Sequence, residues 1–284
     1  MIRKIIITTL ILITNILSIA ETNQQIIDRG NKNQKDIFDK YYKNTFDKNK
    51  KNNEVLKSTY SDLLYGQLEI NKKINENEMK RLKGKRKTEF KKMYENYNLY
   101  ISVNSETIRL LLNNFLQEKD NLHSYMFVNT YNLFETFELN MNTILEGEKD
   151  NKTVEGNVNT IIDYFYFSGD KKSKEEYIKM SNEEMRSIVK NEFEELNREL
   201  DNRKTKGTEN EKKEGNKLKS DLIKLEKAYE NYDRSFESYV NSSSLSISDK
   251  DSIKKLIKYE KIANLRFFKQ SLELIKEGED NGKQ

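Results

Sequence analysis

The chain of 284 residues carries 51 Lys and Arg against 47 Asp and Glu, so its formal net charge is only +4. It contains no Cys, which excludes a disulfide-stabilised scaffold and any function that needs a reactive thiol. It also contains no Pro, the residue that breaks helix interiors, and its mean hydropathy is low at −0.93. Core formation therefore depends on how well the apolar residues are patterned.

The first twenty residues have the layout of a secretory signal peptide. Arg3 and Lys4 give a basic start, residues 5–17 are mostly apolar, and the small residues Ser18 and Ala20 follow. The apolar run covers 13 residues, whereas a membrane-spanning helix needs roughly 20. A cleaved signal is therefore favoured over a membrane anchor. The sequence predicts cleavage after Ala20 and export to the periplasm, the cell surface or the medium.

Cleavage would leave 264 residues (284 minus 20) and, with Arg3 and Lys4 removed, a net charge of +2. No later segment is long and apolar enough to span a bilayer, so we expect no transmembrane segment in the mature chain. Ala is rare, while Lys, Asn, Ile and Tyr are abundant. AT-rich coding DNA favours this composition, which indicates a low-GC organism.

Apolar residues recur at helical spacing along nearly the whole mature chain, which predicts an all-α protein. A first helix carries an apolar face around Phe38 and Tyr42. A second helix is predicted over about 54–82, and its apolar positions alternate steps of four and three residues, as in a coiled coil. These positions are Leu56, Tyr60, Leu63, Gln67, Ile70 and Ile74.

Gly84 predicts a break between this helix and the next, and it lies in the most basic segment of the chain. That segment contains Lys80, Arg81, Lys83, Lys85, Arg86, Lys87, Lys91 and Lys92. As a functional element it would bind an anionic surface, such as phospholipid, a cell-wall polymer or a sulfated glycan. The competing interpretation is an ordinary solvated turn between two helices. Export argues against nucleic acid as the partner.

Further helices are predicted over 90–115 and 122–145, followed by a polar loop over 147–156. The aromatic run that ends at Phe167 is consistent with a strand by propensity, but no partner strand is evident, so we expect a buried helix end capped by Gly169. The pattern from Ser181 to Glu184 has the form of a capping box and predicts the start of the next helix.

The segment 204–216 contains no apolar residue and is predicted to be a linker. It is followed by the most regular seam of the chain, which contains Leu218, Leu222, Leu225, Tyr229, Tyr232, Phe236 and Tyr239. Ser248 is the expected cap of a last helix, which should pair with the preceding one as an antiparallel hairpin. The predicted architecture is an elongated, coiled-coil-like helical bundle over 21–203, a linker over 204–216 and a C-terminal hairpin over 217–284.

The sequence offers little support for catalysis. His123 is the only His, and one imidazole without Cys cannot build the common zinc sites or nucleophilic triads. The carboxylate pairs at 183–184 and 194–195 are typical of solvated helix faces. No phosphate-binding or calcium-binding loop is evident, so no catalytic residue, cofactor or metal is predicted. Most of the sixteen Tyr fall on apolar stripes, which indicates a place in the core.

Two classes of function remain open. The first is an exported, non-catalytic helical binding or scaffold protein, such as a surface adhesin, a host-interaction factor or an envelope component. Its partner would be an anionic surface or a protein that contacts its helical faces, and self-association is also compatible with the seams. The second is a periplasmic enzyme or accessory subunit whose active site the sequence does not reveal. Architecture alone does not decide between them.

Overall fold

A computed structural model describes residues 23–45, 52–115, 119–149, 151–165, 174–204 and 209–281. Within these ranges every regular element is an α-helix and no strand occurs, so the all-α prediction is confirmed. The helices of the described ranges are α1 (Asn23–Thr45), α2 (Asn52–Arg81), α3 (Gly84–Phe115), α4 (Lys119–Gly147), α5 (Asn151–Phe165), α6 (Lys174–Lys179), α7 (Asn182–Lys204), α8 (Glu209–Asn241) and α9 (Ile247–Asn281).

Some predictions fall outside these ranges. The signal peptide at 1–20 and the proposed helix cap at Gly169 both lie outside the described residues and stay predictions. Of the helices that the structure describes, none combines the length and the apolar composition needed to cross a bilayer.

The helix break at Gly84 is confirmed. Helix α2 ends at Arg81 and α3 begins at Gly84, whose φ is +55°. That value lies in the left-handed region, which glycine adopts freely and other residues adopt at a cost. A Cβ added to Gly84 would meet no atom within 4 Å, so a substitution there would be penalised by the backbone conformation alone.

We expect Gly84→Ala to lower the free energy of unfolding by about 1–2 kcal/mol, because alanine is disfavoured at positive φ. The matched control is Gly66→Ala within α2, where an added Cβ also meets nothing within 4 Å. Because Gly66 is helical, that change should stabilise the protein by about 0.5–1 kcal/mol. Urea unfolding of both variants measures the difference. If both changes shift the free energy of unfolding in the same direction, the left-handed conformation of Gly84 is contradicted.

In the described ranges, Ser181 and Ser246 act as helix N-caps. The Ser181 amide donates to Glu184 Oε2 at 2.6 Å and the Glu184 amide donates to Ser181 Oγ at 3.2 Å, so the predicted capping box is confirmed. At the last helix the Asp249 amide donates to Ser246 Oγ at 3.1 Å. The prediction that Ser248 caps this helix is therefore wrong. Ser246 and Ser248 each have an Asp three residues later, so the local sequence pattern cannot distinguish them as caps.

Two segments predicted as irregular are partly helical. Helix α5 begins at Asn151 rather than after 156, because Val154 packs closely against the end of α4, where a Cβ on Gly147 would lie 2.1 Å from it. Helix α8 begins at Glu209, so 209–216 is helical within the segment predicted as a linker. The division of the chain into two domains at that segment stays a prediction.

The helices pack around a continuous core that contains side chains from both sides of the predicted linker. Helix α8 packs most extensively along α3, α7 packs along α9, and α2 packs against α1 and α4. Helix α5 contacts α4 and α9. Helix α8 also contacts α9, although less extensively than α3. The antiparallel hairpin and the elongated, coiled-coil-like shape stay predictions.

Tyrosine and phenylalanine rings fill the interface between α3 and α8. The ring centroids of Tyr97 and Tyr232 are 5.5 Å apart, and those of Tyr100 and Tyr232 are 5.6 Å apart in a stacked arrangement. Phe90 meets Tyr239 edge to face at 5.3 Å. All seven predicted seam positions of α8 are buried. The interpretation of these tyrosines as core residues is confirmed, and such ring pairs add about 0.5–1.5 kcal/mol each beyond their buried area.

Candidate functional site

The basic segment lies at the corner between α2 and α3. Lys80 and Arg81 end α2, Lys83 lies in the connection, and the remaining five basic residues follow on the first turns of α3. The structure divides the eight predicted residues into two groups. The two arginines are engaged with the body of the protein, whereas most of the lysines are not.

Arg81 and Arg86 serve the fold. Arg81 Nη2 donates to Glu78 Oε2 at 2.6 Å, and the Glu78 carboxylate is fully buried, so the arginine neutralises a charge that would otherwise be costly. This hydrogen bond raises the pKa of Arg81 further. Arg86 forms an ion pair with Glu148, and its guanidinium lies 5.6 Å from the ring centroid of Tyr239. Arg86 therefore connects the corner to α4 and α8, whereas Arg81 acts within α2.

Most lysines of the segment are exposed to solvent. Lys91 lies 3.8 Å from Glu95, an exposed pair that contributes little to stability. For the other lysines, no carboxylate in the described ranges lies within ion-pair distance. Four of them, Lys80, Lys83, Lys85 and Lys92, are exposed and Lys87 is half-buried. We call the three consecutive exposed ones, Lys80, Lys83 and Lys85, the corner lysines.

The placement of these charges opposes the dipole of α3. The first turn of α3 contains Lys85, Arg86 and Lys87 and no acidic residue. Backbone amides at a helix N-terminus carry partial positive charge, so each cation there is unfavourable by roughly 0.3–1 kcal/mol. Arg86 is compensated by Glu148, but Lys85 and Lys87 are not. Folding stability therefore does not explain why Lys85 and Lys87 lie at the N-terminus of α3. Such a departure from the charge preference of a helix N-terminus is typical of functional surfaces.

The corner contacts the end of α4, which in turn contacts the α8–α9 loop. Glu148, which pairs with Arg86, also accepts a hydrogen bond from the Ser244 amide at 3.4 Å, so the end of α4 and the α8–α9 loop meet beside the corner. Ile247, at the start of α9 just beyond this loop, is 82% exposed. Lys149 is exposed next to Glu148. The same end of the protein thus presents cations and one large apolar side chain.

Three of the four carboxylates in the predicted pairs have structural roles. Glu183 pairs with Arg186 at 2.8 Å and Glu184 completes the Ser181 capping box. Glu195 pairs with Lys269, which lowers the pKa of Glu195. His123 lies on α4, and in the parts of the chain that the structure describes no group of three or more acidic or His side chains could hold a metal ion.

Sequence reasoning missed a buried set of charges in the middle of α9. Lys258 is fully buried, and its Nζ lies 2.7 Å from Asp233 Oδ1 and 2.8 Å from Glu237 Oε1. Arg186 Nη2 reaches the same two carboxylates, at 3.3 Å and 2.6 Å. Residues 256–265 are buried without a polar face. The sequence did contain a signal of this burial, because apolar residues lie on both sides of Lys258 within 256–265.

The neighbouring Glu260 and Lys261 are buried as well. Burial raises the pKa of Glu260 to about 8 and lowers the pKa of Lys261 to about 7. Lys261 Nζ lies 3.3 Å from the Tyr100 hydroxyl and 3.4 Å from Asn104 Oδ1, and it also lies over the Tyr100 ring at 4.9 Å. These contacts partly replace the water that a charged ammonium loses.

A groove of about 310 Å³ lies between α7 and α8. Its floor is formed by Val189, Phe193 and Tyr229, all of them buried. Charged side chains of both signs form its walls. The volume is within the range typical of sites for small molecules.

Comparison of the chain with models of protein families, with curated proteins and with solved structures found no match. The functional conclusion therefore depends on the geometry and charge distribution of the protein itself.

Proposed function

We propose that the protein is an exported, non-catalytic binding protein that attaches to an anionic surface through the corner lysines. The observation that carries this proposal is the set of exposed lysines at the α2–α3 corner, which have no partner carboxylate in the described ranges and include a cation placed against the α3 dipole. Signal-peptide cleavage after Ala20 is part of the proposal, because it would bring the protein to such surfaces.

The contacts and side chains around the corner support this proposal. The ion pair of Arg86 with Glu148 joins the start of α3 to the end of α4, so the corner lysines are presented from a fixed backbone. Exposed Ile247 near the same end offers apolar contact in addition to charge. A combination of cations and an apolar side chain suits the interface of an anionic bilayer or an amphiphilic cell-wall polymer.

We expect replacement of the corner lysines by Gln to weaken binding to vesicles that contain anionic lipid about 100-fold at low salt. Each lysine near such a surface contributes about 1 kcal/mol, so three contribute about 3 kcal/mol. Co-sedimentation measures this change, and heparin serves as the probe for a sulfated glycan.

The matched control replaces Lys213, Lys217 and Lys227 of α8 by Gln. These lysines are also exposed, and the change in net charge is the same. If binding responds to the overall charge alone, both triple variants will lose the same affinity, and the proposal that the corner is the contact surface fails. Circular dichroism of both variants checks that the helices are retained.

The alternative, a periplasmic enzyme or accessory subunit, ranks second. Glu183, Glu184 and Glu195, which belong to the predicted carboxylate pairs, are engaged in ion pairs or in a helix cap, and these contacts account for their positions without catalysis.

A further inference from the structure

The loop between α8 and α9 lies at the same end of the protein as the α2–α3 corner. Arg86, at the start of α3, and the backbone amide of Ser244, in the loop, contact the same oxygen of Glu148, Oε1. The Ser238 hydroxyl, on the last turn of α8, donates to Glu89 Oε2 on α3 at 2.7 Å. The loop is therefore held beside the segment that carries the corner lysines.

This loop has exposed apolar surface and no charge. Residues 241–248 are one Asn, five Ser, one Leu and one Ile, in a chain of which 35% of the residues are charged. Leu245 is buried, whereas Ile247, the first residue of α9, is 82% exposed. That is the highest exposure among the large apolar side chains of the described ranges. The loop can therefore leave water without removing a charged side chain from its hydration.

The first two carboxylates of α9 follow this loop and are each engaged. Asp249, in the first turn, accepts a hydrogen bond from Ser246 Oγ at 2.5 Å and lies at the positive end of the helix dipole. Asp251 pairs with Lys254 at 3.2 Å. Both negative charges are thus partly neutralised. Lys149, just beyond the end of α4, is exposed and adds a cation to those of the corner.

The start of α1 indicates which kind of surface this end would face. Asn23 Nδ2 donates to Glu78 Oε1 at 3.1 Å, and Asn77 Nδ2 donates to Asn23 Oδ1 at 3.1 Å, so α1 begins beside the end of α2. Only residues 21–22 separate Asn23 from Ala20, where the predicted leader ends. Three residues of extended chain reach at most about 11 Å. Before cleavage, such a leader would hold this end of the protein close to a membrane.

We propose that this end of the protein docks on an anionic phospholipid bilayer and that Ile247 enters the boundary between headgroups and acyl chains. The inference rests on the proposed function and deepens it, because it selects a lipid bilayer over a cell-wall polymer or a glycan. The lysines would bind the headgroup charges, and the uncharged loop would carry Ile247 between the headgroups. Burial of one Ile does not offset the freedom lost on association, so neutral membranes would not hold the protein.

The first test measures the affinity of the chain from Glu21 for anionic vesicles and for heparin at low salt. We expect Ile247→Ser to weaken vesicle binding about tenfold, near the lower end of what full burial of an Ile gives. Heparin binding should not change, because heparin has no acyl chains. The matched control is Ile223→Ser, which should change neither affinity. Ile223 is 54% exposed on α8 and lies about 27 Å along the helix from its end at Asn241.

The second test uses the absence of Trp from the chain. The variant Ile247→Trp then carries a single tryptophan, at an exposed position where the change should leave the fold intact. On anionic vesicles the emission of this variant should shift to shorter wavelength, and lipids brominated on their acyl chains should quench it. The variant Ile223→Trp should show neither change.

The outcomes separate this inference from the proposed function. The inference is overturned if Ile247→Ser and Ile223→Ser bind vesicles equally well, or if brominated lipids do not quench Ile247→Trp. In both cases, loss of binding on replacement of the corner lysines would still support the proposed function. Binding of the unchanged protein to heparin but not to vesicles would overturn bilayer docking alone, and binding to neither would overturn both.

Discussion

Replacing Asp233 with alanine is expected to lower the free energy of unfolding by about 3 kcal/mol, one of the largest effects of any single change in this protein. Asp233 is 3% exposed in its side chain and lies 2.7 Å from the Nζ of fully buried Lys258. Its removal leaves a buried ammonium with only Glu237 as counterion, at 2.8 Å. That remaining contact puts the loss at the lower end of the range for broken buried pairs.

A double-mutant cycle separates the ion pair from other effects of the Asp233 change. Adding Lys258→Met to Asp233→Ala removes the stranded charge, so the double variant should recover much of the lost stability. The matched control is Asp201→Ala, because its pair with Lys219 is about half exposed, and that change should cost less than about 1 kcal/mol. If urea unfolding gives the same loss of stability for Asp201→Ala as for Asp233→Ala, the buried ion-pair network is contradicted.

The second large effect is a dependence of stability on pH that comes from Glu260. The pKa of Glu260 is about 8 in the folded protein against 4.5 for an unperturbed Glu, because burial disfavours the carboxylate. Between these values the folded state binds the proton and the unfolded state does not. Stability therefore falls as pH rises through this window, by at most about 1.36 kcal/mol per pH unit for one proton.

Lys261 has the opposite effect at higher pH. Burial lowers the pKa of Lys261 from 10.5 to about 7, so between these values the unfolded state binds the proton and stability rises with pH. The contributions of the two residues together predict a minimum of stability near pH 7–8. Glu138 adds to the fall in stability as pH rises from about 4.5 to about 7, since burial raises the pKa of Glu138 to about 7.

The variant Glu260→Gln isolates the contribution of Glu260. It should remove on the order of 2 kcal/mol of the stability difference between pH 5 and pH 7, because the amide does not titrate in this range. Urea unfolding at both pH values, with Glu155→Gln as the exposed control, measures the change. An unchanged difference in Glu260→Gln would show that Glu260 is ionised and solvated in the folded protein.

Much of the helical structure could be predicted from the sequence because local patterns determine it. The α8 seam, the capping box at Ser181 and the break at Gly84 each depend on residues within a few positions of one another. The choice of helix partners could not be predicted in this way. The packing of α8 along α3 depends on aromatic rings such as Tyr100 and Tyr232, which are far apart in the sequence.

The same limit applies to the basic segment. Its composition is evident in the sequence, but the distinction between arginines that serve the fold and lysines that remain exposed is not. Arg86 is paired because Glu148, on α4, meets α3 at the corner. The groove was missed for a similar reason, since Phe193 and Tyr229 look like core positions of two separate helices until α7 and α8 pack together.

The central claim, that the corner lysines bind an anionic surface, is tested most directly by binding of the chain from Glu21 to anionic vesicles as salt is raised. The distance over which exposed charges act falls from about 30 Å at 0.01 M salt to about 3 Å at 1 M. We predict strong binding at the lowest salt, progressive release as salt rises, and no binding to neutral vesicles at any salt concentration. Equal binding to neutral and anionic vesicles, or no binding at the lowest salt, would contradict the claim.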